Sequence, residues 1–205
     1  MIKNVIFDLG NVLIPLKIKR MRFEFIKLGL FYAPKQLKEV FSIYEVGQIS
    51  TDDFISAIQK HTPLGNPQKI RKAWHALLGF FDERNLEILR WTRNHHRIFL
   101  LSNMNTLHME AIQIQMGSLY KTFENQFDQL YFSHEIGMKK PHRILYEMIL
   151  NENQISPNES LFIDDLAENI TAAAQLGIHT WYFNIRKASL FDLNDKIKHI
   201  NRLVG

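Results

Sequence analysis

Lys3-Asn4-Val5-Ile6-Phe7-Asp8-Leu9-Gly10-Asn11-Val12-Leu13 is the stretch whose reading decides the fold. Val5, Ile6 and Phe7 form a continuous apolar run that ends in a carboxylate. Such a run suits a parallel strand buried on both faces, because strands with one wet face alternate instead. Asp8 then falls at the carboxyl end of the strand, the edge at which open α/β sheets bind ligands. Gly10 and Asn11 tolerate the backbone dihedrals of a sharp turn there. Alone, the stretch fits an ordinary N-terminal strand with a turn-forming Asp equally well. The rest of the chain decides.

Working outward, the same pattern returns. Arg97-Ile98-Phe99-Leu100-Leu101 is a second buried run, followed at once by Ser102-Asn103. Residues 129–133 give a third strand, Ser160-Leu161-Phe162-Ile163-Asp164-Asp165 a fourth that ends in acids, and 179–183 a fifth. Helices are predicted between them. One spans 86–94, one is opened by Pro141 with Ile144, Leu145, Met148 and Ile149 on one face, and an Ala-rich one stops at Gly177. A last helix covers 190–204, and 106–126 is a polar, partly helical connection. Strands alternating with helices imply α/β architecture with a doubly wound parallel sheet. Asp8, Ser102 and the Asp164-Asp165 pair then share one edge.

Residues 16–80 have a different character, with many aromatics and no strand signal. Phe23, Ile26, Lys27 and Leu30 share a helical face, and Leu37, Val40, Phe41 and Tyr44 recur at helical spacing. Ser50 or Thr51 caps a helix with Asp52 and Asp53 in its first turn, which continues to breaks at Pro63, Gly65 and Pro67. A further helix, 70–78, holds Trp74. The expected organisation is a core of residues 1–15 and 81–205 with a helical insertion, 16–80, in which Phe23, Phe41 and Tyr44 pack inward.

The 205 residues, 46% apolar and 22% charged, fit one globular domain carrying an insertion. Net charge is +4, but Lys and Arg are dispersed among acids, so the balance favours small anionic ligands over nucleic acid. There is no cysteine, which excludes disulfides, thiolate nucleophiles and cysteine metal sites. No apolar run approaches a membrane span and the N-terminus lacks a signal-peptide layout, so a cytoplasmic protein is expected.

Asp8, alone on its strand, is a candidate nucleophile. Ser102 and Asn103 can donate hydrogen bonds to phosphoryl oxygens, and Lys140 beside Pro141 supplies a positive charge. Asp164 and Asp165 are paired hard-oxygen ligands of the kind Mg2+ takes. A carboxylate attacking a phosphate ester meets like charge, so it needs cations beside it, and Mg2+ with Lys140 suffices. The intermediate would be an aspartyl-phosphate that water hydrolyses. Singly, each element has an ordinary explanation: Ser-Asn pairs and adjacent Asp residues commonly form turns and helix caps. Their order and spacing carry the joint signal.

Four motifs occur in order: Phe7-Asp8-Leu9-Gly10-Asn11-Val12-Leu13, Leu101-Ser102-Asn103, Gly137-Met138-Lys139-Lys140-Pro141, and Phe162-Ile163-Asp164-Asp165 followed by Asn169. In these the sequence resembles the haloacid dehalogenase superfamily, whose members are mostly phosphatases. It is most similar to the branch of bacterial sugar-1-phosphate phosphatases and to the phosphatase domain of soluble epoxide hydrolases. The insertion matches the position of a cap domain, and Glu45-Val46-Gly47-Gln48-Ile49-Ser50 resembles a recurrent cap turn. The resemblance implies a Rossmann-like core, a Mg2+ cofactor and a small phosphate ester as substrate. It implies Asp8 as nucleophile, Ser102 as phosphate-binding hydroxyl with Asn103 beside it, and Lys140 as neutralising charge, with Lys139 solvated. Asp8, Asp165 and the Gly10 carbonyl would hold the metal, Asp164 would orient Lys140 or metal-bound water, and Asn11, Ser102, Asn103 and Lys140 would meet substrate.

One departure stands out. Family phosphatases commonly place a general acid/base Asp two residues after the nucleophile, where this chain has Gly10. Such help is typically worth about 10²–10⁴-fold. Substrates with a leaving group of low pKa need less of it, and a cap histidine (His61, His75 or His108) is the alternative donor. His142-Arg143 also stands where Asp-Pro is common. Two rivals follow: a metal-independent 2-haloacid dehalogenase, and a catalytically weak binding or regulatory protein on the same fold.

Overall fold

The computed structural model describes residues 1–204 and contains one five-stranded sheet. Its strands are β1 (Asn4–Phe7), β2 (Arg97–Ser102), β3 (Gln129–Phe132), β4 (Ser160–Asp164) and β5 (His179–Tyr182). All pair in parallel, in the order β3-β2-β1-β4-β5. Helices α5 (Asn85–His95), α6 (Thr106–Met116), α7 (Leu119–Glu124), α8 (Ser133–Ile136), α9 (Arg143–Glu152), α10 (Ala167–Ala174) and α11 (Leu193–Val204) complete this part. The apolar runs behave as two-faced strands. Val5, Phe7, Ile98, Leu100, Leu161 and Ile163 join one apolar layer, while Ile6, Phe99, Leu101 and Phe162 join the other. Residues i and i+2 share a face, so an unbroken apolar run feeds both layers at once.

Register sets the site. Phe7 pairs with Leu100 on one side and Ile163 on the other. Asp8, Ser102 and Asp164 therefore emerge side by side at the carboxyl edge, and the Asp8 N–H donates to the Ile163 carbonyl at 2.9 Å.

Between β1 and α5 lie α1 (Ile18–Lys27), α2 (Lys35–Glu45), α3 (Thr51–Gln59) and α4 (Pro67–His75). They enclose a separate apolar cluster, with Phe25, Leu37, Tyr44, Phe54, Ile58 and Trp74 among its members. Phe54 stacks on Tyr44 at 3.9 Å and meets Trp74 edge-on at 4.8 Å. Two chain crossings join the insertion to the sheet, and they pair with each other: Lys17 N–H donates to Leu77 O and Gly79 N–H to Pro15 O.

Several local expectations are corrected. In α1 the buried stripe contains Phe25 and continues to Leu28, with Met21 packed against it, whereas Phe23 is exposed under the Lys27 ammonium. Two overlapping apolar stripes were available, and contact between Phe25 and Trp74 selects one. Pro67 opens α4 rather than ending a segment, as suits a residue without an N–H at the first helical position. Helix α9 begins at Arg143, not Pro141, and buries Leu145, Tyr146, Ile149 and Leu150 while Ile144 is exposed. Strand β3 stops at Phe132, and Ser133 starts α8.

The insertion rests on the core through hydrogen bonds. Ser133 Oγ lies 2.6 Å from Glu45 O and accepts from Met104 N–H at 2.8 Å, and Leu107 N–H donates to Tyr44 Oη. Gly47, at φ +70°, lies so close to α8 that a Cβ would sit 2.2 Å from His134 O. Gly117, at φ +53°, has open space where its Cβ would be. A left-handed backbone alone costs a non-glycine residue about 1–2 kcal/mol. Denaturant unfolding should therefore find Gly47→Ala more destabilising than Gly117→Ala by at least about 1 kcal/mol, the added cost of overpacking. Equal losses would mean that α8 and the 45–48 turn are not in close contact.

Candidate active site

At the carboxyl edge one ammonium gathers the acids. Lys140 is 3% exposed, and its Nζ donates to Asp8 Oδ1 at 2.6 Å, Asp164 Oδ2 at 2.7 Å and Leu101 O at 2.9 Å. A lysine ammonium has three N–H donors, and all three are used. The backbone that carries Lys140 is clamped by Asn103, which accepts from Lys140 N–H at 2.8 Å and donates to Lys140 O at 3.0 Å. Asp164 is held from behind: Asn169 Nδ2 reaches both carboxylate oxygens at 3.0 Å, and Leu166 N–H donates to Oδ1. Asp165 accepts from Asn11 Nδ2 at 2.8 Å, and Asn11 Oδ1 in turn accepts from Leu16 N–H.

The electrostatics follow from burial and crowding. Burial pushes the Asp8 carboxyl up, Lys140 opposes this and Asp164 adds to it, with a net rise to about 7. Asp165 is also raised, chiefly by burial. Burial alone would lower the Lys140 ammonium, but the Asp8 and Asp164 carboxylates outweigh it and hold the group above its ordinary value.

Oxygen atoms of Asp8, Asp164 and Asp165 lie within 4.8 Å of one another. With all three acids ionised, three carboxylates against one ammonium leave two negative charges, the deficit a divalent cation fills. Asn169 Oδ1, buried beside Asp164, has no hydrogen-bond partner among the described residues. The donor set is all hard oxygen and fits Mg2+.

Beside these groups lies a cavity of about 340 Å³ whose walls include Gly10, Ser102, Asn103, Glu45 and Lys139. Ser102 and Gly10 thus stand where substrate could reach them. The Asn103 amide, on the same cavity wall, also clamps the Lys140 backbone, and the Asn11 amide bridges Asp165 and Leu16. Lys139 is only partly solvated: its Nζ donates to Glu45 Oε2 at 2.7 Å and Ser42 Oγ at 3.0 Å. A Cβ on Gly10 would meet Leu16 Cδ1 at 3.0 Å, so a leucine fills the space of the missing acid.

Of the three histidines named as candidate donors, His61 is exposed and His75 lines a different cavity. His108 does line the site cavity, but its ring is stacked on Trp74 at 5.1 Å and bonded to Asn105 and Trp74 O. Burial lowers its pKa to about 4, which keeps it neutral. A wider groove of about 720 Å³ lies at the opposite sheet edge, among Lys3, Arg93 and Arg97. Arg93 and Arg97 there donate to carbonyls at the ends of α7 and α9, so their charge already answers helix C-termini.

The site sits on a fold shared with a known group of enzymes. The haloacid dehalogenase-like hydrolase model matches residues 2–177, and the chain belongs to that family. It is 32% identical over 190 residues to a D-ribitol-5-phosphate phosphatase of Bacteroides thetaiotaomicron, covering 88% of this chain and 91% of that protein. The crystal structure of a family enzyme of the same organism, in complex with magnesium and inorganic phosphate, superimposes with a TM-score of 0.78 at 29% identity, over 88% of this chain and 93% of that one. A predicted HAD-like hydrolase of Porphyromonas gingivalis matches with a TM-score of 0.81 at 26% identity, over 100% and 98% of the two chains.

Thermal unfolding checks the charge deficit. A cation bound only by the folded state stabilises it, by about 2.7 kcal/mol at a hundred times its Kd. Saturating Mg2+ should raise the Tm of the wild type and leave Asp165→Asn almost unmoved. A wild type indifferent to Mg2+ would contradict the cation site.

Proposed function

We propose that this chain is a Mg2+-dependent phosphatase of small phosphorylated metabolites, with sugar or polyol phosphates as its substrate class. The observation that carries the reading is the buried Lys140 ammonium shared by Asp8 and Asp164. The similarity to a D-ribitol-5-phosphate phosphatase supports the substrate class.

Asp8 is the nucleophile in this reading. Its free carboxylate oxygen attacks phosphorus, the bond to the leaving oxygen breaks, and an aspartyl-phosphate forms. Water then attacks the same phosphorus, the Asp8–phosphorus bond breaks, and inorganic phosphate leaves with Asp8 restored. Lys140 favours the ionised form of Asp8 and aligns it, and it faces the phosphoryl charge as it moves. Ser102 offers its hydroxyl to a phosphoryl oxygen. Asp8, Asp165 and the Gly10 carbonyl would hold Mg2+, which when bound supplies positive charge against the phosphoryl oxygens. Asp164 keeps Lys140 in place, and Asn169 keeps Asp164.

Residues 16–80 act as a cap over a core of 1–15 and 81–205, closing the cavity against water and choosing the leaving group. With Leu16 in the place of an acid, the leaving oxygen takes its proton from water, which favours leaving groups of low pKa. Metal-independent halide displacement would give the Asp164-Asp165 pair and its charge deficit no role.

Phosphate release from p-nitrophenyl phosphate tests the reading. With Mg2+, wild type should turn over and Asp8→Asn should lose about 10³-fold or more in kcat. If Asp8→Asn matched wild type, the nucleophile would be elsewhere.

A further inference from the structure

On the wall of the cavity that Leu9, Gly10 and Ser102 also line, the Lys139 ammonium and the Glu45 carboxylate form an ion pair at 2.7 Å, each side chain 33% exposed. The two residues are 94 positions apart, one on the segment that carries Lys140 and the other at the end of α2. Surface pairs of this kind contribute little to stability, about 0–1 kcal/mol. This pair faces a cavity, however, and it is incompletely used. Of the three Lys139 N–H donors, Glu45 and Ser42 take two, and Glu45 Oε2 is the oxygen that accepts. One donor and one carboxylate oxygen of the pair have no hydrogen-bond partner among the described residues. A hydroxyl group both gives and accepts, so it matches that arrangement.

Resting on the phosphatase reading above, we propose that Glu45 and Lys139 determine specificity by hydrogen-bonding the hydroxyls of the leaving group. They thereby select a leaving group that carries hydroxyls over one that carries none. A hydroxylated end meets a donor and an acceptor, while an end without hydroxyls leaves both without a partner. Leu16, Phe41 and Trp74 also line the cavity and give it apolar surface for the carbon skeleton. Hydrogen bonds to charged groups discriminate strongly against ligands that lack the partner.

The test compares two probes on the Mg2+-loaded enzyme, a pentitol 5-phosphate and p-nitrophenyl phosphate. Ratios of kcat/KM between probes measured on one sample do not depend on how much of a variant is folded. For Glu45→Gln and Lys139→Met, the ratio of pentitol phosphate to p-nitrophenyl phosphate should fall about tenfold or more, through the KM of the pentitol phosphate, a split that a merely structural latch would not produce. Unchanged ratios in both variants would overturn the proposal. A wild type that hydrolyses neither probe would instead sink the phosphatase reading itself.

Discussion

One buried ammonium organises the edge of the sheet. Lys140 lies between Asp8 and Asp164, with Leu101 O as its third acceptor. Removing one partner from such a buried arrangement typically costs about 3–5 kcal/mol, because a charge is left without compensation. The arrangement is also strongly asymmetric: Asp165 adds a third carboxylate with no second ammonium to meet it. That imbalance is poor design for a purely structural network and good design for receiving a divalent cation and a phosphoryl group. Stability and chemistry thus pull in opposite directions, and the surrounding hydrogen bonds hold the site together.

Those hydrogen bonds come from asparagines. Asn103 fixes the Lys140 backbone, Asn169 fixes Asp164 and Asn11 fixes Asp165. An amide offers donors and an acceptor without adding charge, so each can orient an ionised neighbour without deepening the imbalance. At the seam between the insertion and the core, neutral contacts from Ser133, Tyr44 and Asn105 are joined by two charged pairs, Glu45–Lys139 and Arg71–Glu110. Trp74 Nε1 donating to Asn105 Oδ1 and the His108 ring stacked on Trp74 lock α4 against α6.

Much of the sheet was legible in the sequence, because burial on both faces is a local property that shows as an unbroken apolar run. Each of those runs became a strand, and the rule that strands deliver ligands at their carboxyl ends placed Asp8, Ser102 and Asp164 together. Lys140 was harder. It lies on a loop, and its entry depends on an Asn103 clamp 37 residues away. Only its motif pointed to it. That the amides of Asn11 and Asn103 hold Asp165 and the Lys140 backbone was not legible, because the partner of a side-chain amide is a tertiary fact. The Glu45–Lys139 pair and the choice of stripe in α1 were invisible for the same reason: both depend on contacts between segments distant in sequence.

The central claim is that a crowded, buried Asp8 is tuned by its neighbours and by the cation they would hold. Carbon-13 titration of the Asp8 carboxyl measures this directly. In metal-free protein it should titrate near 7, with the rise produced by burial and Asp164 against the pull of Lys140. Saturating Mg2+ should move it down by at least about one pH unit, since a bound cation favours the ionised form. A carboxyl that titrates near its ordinary value and ignores Mg2+ would contradict the account.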